Sequence, residues 1–253
     1  MSMARRPNLK HQIIGLWCAF IFTVLIALGW LGIAHFWMPA PADLGAEATK
    51  AFFTITHHDG MLLGNSILTV ACAFLVPGSV QFGLTLAEIE GPQPLWSMCA
   101  AISGCFIALI VFLNAGFWIG AAYRPAASAD LVVALNDVAW MGFLLGWVFL
   151  SLQMVSTAIV ALSDQRAQPM IPHWLSKLSI VGAVLLVCAG GPAFAQSGPF
   201  AYHGLLAFYM PMVIWGVWLD THAWFMRREL RRRLASPVLS SASLVEVRRA
   251  AHQ

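Results

Sequence analysis

Charge is scarce in this chain. Asp, Glu, Lys and Arg make up 10% of its 253 residues, against about 25% in a typical soluble domain. With 60% of residues hydrophobic and a mean hydropathy of +0.77, a soluble globule could not cover its own apolar surface. Signatures of chemistry are scarce as well. The sequence has no phosphate-binding GxxxxGK loop, no GxGxxG, no HExxH, no serine nucleophile elbow and no CxxCH, which removes the support for ATP-driven and zinc-protease readings. It has no lysine in the middle of an apolar run to form a retinal Schiff base, and no internal repeat strong enough to suggest inverted topology. Its five cysteines, Cys18, Cys72, Cys99, Cys105 and Cys188, all fall in apolar runs without zinc-ligand or Cys-x-x-Cys spacing, so they are expected to pack as small hydrophobes.

Long apolar runs are what the chain has in abundance. Residues 12–37, 61–86, 96–121, 131–162, 174–195 and 203–226 are each long enough to cross about 30 Å of hydrocarbon, which takes roughly 20 residues of helix. The expected fold is all-α: a polytopic integral membrane protein built as a bundle of six transmembrane helices. The organisation is a cytoplasmic N-terminus (1–11), a six-span domain (12–226) and a basic cytoplasmic tail (227–253). The first run is preceded by Arg5, Arg6 and Lys10 and followed by Ala40-Pro41-Ala42, but at about 25 residues it exceeds a signal-peptide core of about 7–15. It is therefore read as an uncleaved first helix.

Basic residues set the expected orientation. With the N-terminus inside, Arg5, Arg6, Lys10, Arg166, Lys177, Arg227, Arg228, Arg231, Arg232, Arg233, Arg248 and Arg249 are all internal, and only Lys50 and Arg124 are external. That asymmetry predicts both termini in the cytoplasm and residence in the inner, plasma membrane. The Arg227–Arg233 cluster is read as a topology anchor, with recognition of anionic headgroups as the alternative, and no nucleic-acid partner is expected. The partners are the lipid bilayer and either a second membrane protein or further copies of the chain.

Breakers and small residues shape the runs. Pro77-Gly78, Gly190-Gly191-Pro192 and Pro211 predict kinks, because a proline inside a helix removes a backbone hydrogen bond. Gly116/Gly120 and Gly142/Gly146 are GxxxG pairs on spans joined by a short loop, which predicts a close antiparallel hairpin. Between the first two spans, residues 43–53 combine an acidic start with good helix formers and a two-Phe edge, predicting a short interfacial helix in the first external loop.

Polar residues fall into two layers when the spans are threaded in alternating directions. The outer layer holds His35, His57, His58, Asp59, Asn65, Asn114, Asn136, Asp137 and His203. Asp137, flanked by Asn136 and Trp140, is its sharpest member, because an unpaired carboxylate at that depth costs a few kcal/mol. Asp137, Asn136, Asn114, Asn65 and Trp140 are the candidate ligand-binding residues. His57, His58, Asp59, His203 and His35 are the candidate metal ligands, where imidazoles could take a transition metal or ligate a haem. Adjacent residues diverge by about 100° on a helix, so His57, His58 and Asp59 could not all reach one ion. The plain alternative is interhelical hydrogen bonding by the amides and solvation of the histidines. The inner layer, Glu88, Glu90, Gln153, Asp220 and His222, lies close to the arginine cluster, and Asp220 is expected to pair with one of those arginines.

Two functional classes stay open. One is a small permease or accessory subunit whose outward-facing polar pocket binds a small ligand or a partner. The other is a membrane-embedded redox enzyme or electron carrier, with the outer histidines holding a metal or haem.

Overall fold

A computed structural model describes residues 9–235, so Arg5, Arg6, Arg248 and Arg249 lie outside the described residues. Six helices in it are long and apolar enough to cross a membrane: Leu9–Ile33, His58–Glu90, Leu95–Tyr123, Ala129–Leu162, His173–Ala193 and Gly198–Ala235. No strand occurs among the described residues. The protein is a multi-pass helical membrane bundle. Outward-facing Ile14, Val24, Leu28, Leu63, Leu109 and Val217 are exposed along its sides, as expected where hydrocarbon is the solvent. Exposed Trp17, Trp96, Trp174 and Trp224 lie near the helix ends that share a face with the two described termini. Tryptophan with one apolar side and one donor suits that boundary.

The first span is α1 (Leu9–Leu25) continued by wide π-type turns over Ile26–Ile33. A short helix, α2 (Ala46–Ala51), and another π-type turn over Phe52–Thr56 follow in the first loop. The second and third spans are α3 (His58–Glu90) and α4 (Leu95–Tyr123). The fourth is divided at Gly146 into α5 (Ala129–Leu145) and α6 (Trp147–Leu162). The fifth is α7 (His173–Leu185), which tightens into 3-10 turns over Leu186–Ala193. The last begins as a π-type turn over Leu205–Tyr209 and becomes α8 (Met210–Ala235). Each span packs on its sequence neighbour, and α8 closes on α1.

Two loops show how the ends are held. The Glu90 carboxylate accepts the backbone N–H of Trp96 at 2.9 Å and of Ser97 at 2.7 Å, filling orphan donors at the start of α4, where a negative charge also suits the helix dipole. Gly91, at φ 97°, makes the turn between the helices, a conformation only glycine adopts freely. Between α6 and α7, buried Asp164 accepts from Arg166 Nε at 2.7 Å and from the Met170 N–H at 2.9 Å. Burial pushes the Asp164 carboxyl up, but these bonds and the Arg166 charge hold it below the ordinary carboxylate value.

The glycine contacts match the GxxxG expectation in one pair, Gly142 and Gly146, which both meet α4, and not in the other. A Cβ on Gly116 would meet nothing within 4 Å, and on Gly120 only Leu135 at 3.7 Å. Gly142 does sit against α4, where a Cβ would lie 2.6 Å from Asn114 Oδ1. The closest backbone approaches are on α3. A Cβ on Gly64 would fall 2.4 Å from Gly29 O and 2.5 Å from Ala34 N, and one on Gly83 would fall 2.7 Å from Ser97 O. The Pro77 kink is absorbed, since α3 runs through it as one helix, with Gly78 against Ala19.

Candidate functional site

Four spans lose α-helical geometry: the first at Ile26–Ile33, the fourth at Gly146, the fifth at Leu186–Ala193 and the sixth at Leu205–Tyr209. Wide and tight turns of this kind forfeit regular hydrogen bonding and occur disproportionately at functional places. Here they converge. An apolar cavity of about 50 Å³ in the bundle is walled by Ile26, Ile110, Gly146, Ala189, Phe208, Pro211 and Trp215, so each of the four departures contributes to it. A larger apolar groove of about 350 Å³ lies between the first and last spans, lined by Phe22, Thr23, Trp37, Tyr209, Gly216 and Asp220 among others. Phe22, Ile26, Phe208, Met212 and Trp215 line both, so groove and cavity adjoin. The cavity alone would hold only a few atoms and, being apolar, would stay dry. The groove is of the size that small-molecule sites have, about 300–1,000 Å³.

An aromatic knot closes the bundle on the side away from the termini. Trp30 is fully buried, and its ring centroid is 4.9 Å from Phe36, 5.0 Å from Phe143, 5.5 Å from Trp118 and 5.8 Å from Phe208. Trp140 stacks on Tyr202 at 4.9 Å with planes 4° apart. Burial of this much ring area, with edge and stacked contacts, makes the knot a strong packing element.

The outer candidate residues are distributed around this knot. Asn136 is buried and donates through Nδ2 to Tyr202 Oη at 3.0 Å, so Asn136, Trp140 and Tyr202 form one group. Asn65 and Asn114 each donate to a carbonyl of their own helix, Met61 O and Ile110 O, both at 2.8 Å. Asp137 is on the exposed side of α5. His35, with φ +60°, places its ring 4.2 Å from that of His57. Burial and the facing His35 charge push His57 below the ordinary histidine value. His58 Nδ1 pairs with Asp59 Oδ1 at 2.9 Å, and His203 Nδ1 accepts the Ala42 N–H at 3.0 Å. Among the described residues, no three His, Cys, Asp or Glu stand together as a group that could hold a metal ion.

The inner candidates also separate. Glu88 pairs with Arg233 and Glu90 caps α4. His222 is fully buried and donates from Nδ1 to Trp218 O at 2.8 Å. Its Nε2 faces Ser179 Oγ at 3.2 Å, which accepts from Trp218 Nε1 at 2.8 Å. Gln153 Oε1 accepts from Trp215 Nε1 at 3.2 Å, tying α6 to α8 beside the cavity. Asp220 departs from the expected arginine pairing and instead accepts a hydrogen bond from Thr23 Oγ1 at 3.0 Å. Arg227, two turns further along α8 and about 10 Å away, lies over the Trp17 ring at 4.0 Å.

The sequence pointed to this site through Gly190-Gly191-Pro192 and Pro211, whose neighbourhoods line the cavity. It did not point to Thr23, Phe22 or Trp215, because ordinary apolar helix residues carry no local mark of facing a groove. Comparison with known proteins found no family model, no curated protein and no solved structure that matches the chain.

Proposed function

We propose that the protein is a small permease or ligand-binding membrane subunit that admits an apolar small molecule sideways, from the bilayer, through the groove between α1 and α8 toward the central cavity. The observation that carries this reading is the convergence of four helix irregularities on one cavity. Regular helices would pack without that void, and broken spans line binding sites in transporters. The distribution of Lys and Arg supports an inner-membrane protein with both termini cytoplasmic. The redox alternative has fewer observations behind it, since among the outer histidines only His35 and His57 stand ring to ring and no three His, Cys, Asp or Glu of the described residues gather into a group that could hold a metal ion.

Gly216 supplies the test. A Cβ there would meet nothing within 4 Å, and the residue lines the groove, so Gly216→Phe fills the groove without displacing a neighbour. The fluorophore N-phenyl-1-naphthylamine should bind the purified wild-type protein saturably, and Gly216→Phe should weaken that binding by about tenfold or more, with the melting temperature retained. Absence of saturable binding to the wild type, or equal binding to Gly216→Phe, overturns the reading.

A further inference from the structure

Among the residues that line the groove, Asp220 alone has a carboxylate. Phe22, Phe208 and Trp215 form its walls, and Asp220 with Thr23 stands at the end nearer the termini. Asp220 is half-buried, and its only hydrogen bond among the described residues is from Thr23 Oγ1 to Oδ1. That hydroxyl also lies 3.2 Å from Ala19 O, so its single proton is shared between two acceptors. Asp220 Oδ2 has no partner among the described residues. A carboxylate removed from water needs several donors or a counter-charge to stay ionised, and without them it takes up a proton. Among the described residues no Lys or Arg supplies that charge: Arg227, the next along α8, is directed over Trp17 at 4.0 Å and Phe20 at 5.3 Å.

The kind of counter-charge follows from the surroundings. A small inorganic cation requires a shell of several oxygens, and here one carboxylate and one hydroxyl face aromatic and aliphatic walls. A lipid amine would sit at headgroup level, near Arg227, about 10 Å nearer the termini face. A large, weakly hydrated organic cation loses little on entering such a groove, and it gains from both the carboxylate and the aromatic faces. We propose that the groove takes a lipophilic organic monocation, its charge seated against Asp220 and its apolar body against Phe22, Phe208 and Trp215. This proposal rests on the lateral-groove reading above and adds the chemical class of its ligand.

Methyltriphenylphosphonium and triphenylphosphine oxide separate the two ideas, being alike in shape while only the first is charged. In a neutral maltoside detergent, equilibrium dialysis should show the wild-type protein preferring the phosphonium by about tenfold or more. Asp220→Asn should abolish that preference while still binding the phosphine oxide, which shows that the groove remains formed, and Asp220→Glu should restore the preference. Equal binding of both probes, unchanged in Asp220→Asn, overturns the charge inference and leaves the groove reading standing. Binding of neither probe by the wild type overturns both. If Asp220→Asn binds neither, Asp220→Glu decides: recovery of the phosphonium preference supports the proposal, and its absence overturns it.

Discussion

The two halves of the bundle keep their helices in different ways. On one side α3 and α4 run 33 and 29 residues without interruption, and glycines on α3 bring its backbone into direct contact with those of the first and third spans. On the other side the first, fourth, fifth and sixth spans all depart from α geometry, with a cavity where the departures meet. Close backbone contact does not by itself keep both partners regular: α3 stays α-helical at Gly64, while Gly29, which it meets, lies in the widened end of the first span. Where larger side chains such as Phe208 and Trp215 separate the helices, the packing leaves space. The regular half is the frame; the irregular half has the freedom a binding site needs.

The largest effect should come from breaking the frame. Gly64→Leu places a side chain where Gly29 O and Ala34 N already lie within 2.5 Å of a Cβ, and it should cost about 3 kcal/mol or more, at the upper end of overpacking. Gly116→Leu, which enters open space, should change stability by less than about 0.5 kcal/mol. Thermal unfolding in detergent checks both, and equal losses would dissolve the distinction between glycines that bear contacts and those that do not.

A smaller effect is expected in the irregular half, where the link between α6 and α7 depends on a polar clamp. Asp164→Ala leaves Arg166 and the Met170 N–H without their acceptor, so it should lower stability by about 1–3 kcal/mol. The carboxyl is held below its ordinary value in the folded protein. Its contribution is therefore present above about pH 4, the unfolded value, and is lost as the pH falls through the lower folded value. The gap between Asp164→Ala and wild type should accordingly narrow in acid, which unfolding curves at neutral and strongly acidic pH will show. A gap independent of pH would mean that packing, and not charge, holds this loop.

The smallest effect lies at His57. Folding lowers its proton affinity, so the neutral form is favoured in the native state, and stability declines as the pH drops below about 6.5. His57→Gln should remove part of the decline in melting temperature between pH 7 and pH 5, while a slope identical to wild type would assign it to other groups.

The six spans were legible because an apolar run of sufficient length is a local property, readable without knowing any neighbour. The short helix at Ala46–Ala51 was legible from an acidic start followed by good helix formers, which is also a local pattern. Breaks marked by Pro192 and Pro211 could be anticipated, whereas the wide turns over Ile26–Ile33 carry no proline and arise from how the first span meets α3 and the aromatic knot. GxxxG spacing puts glycines on one face but does not say which face meets a helix, and Gly116 shows the difference. Asn136 was singled out, but its partner Tyr202 is 66 positions away and no local pattern joins them. Asp220 was noticed for its charge and assigned to the nearest arginines in sequence; Thr23, 197 positions away, became its partner because α8 folds back onto α1.

Two hydrogen bonds bracket the groove, Thr23 to Asp220 at one end and Tyr209 Oη to Trp37 O at 2.7 Å at the other. Each is worth about 1 kcal/mol, too little to dominate the bundle's stability, but their positions give them a kinetic role. A bulky molecule leaving sideways must part α1 from α8, and doing so opens both latches together. For an occupant of the proposed site, their combined strength of about 2 kcal/mol would lengthen residence by roughly thirtyfold, so on that reading these two side chains bear more on how long an occupant stays than on how tightly the protein is folded.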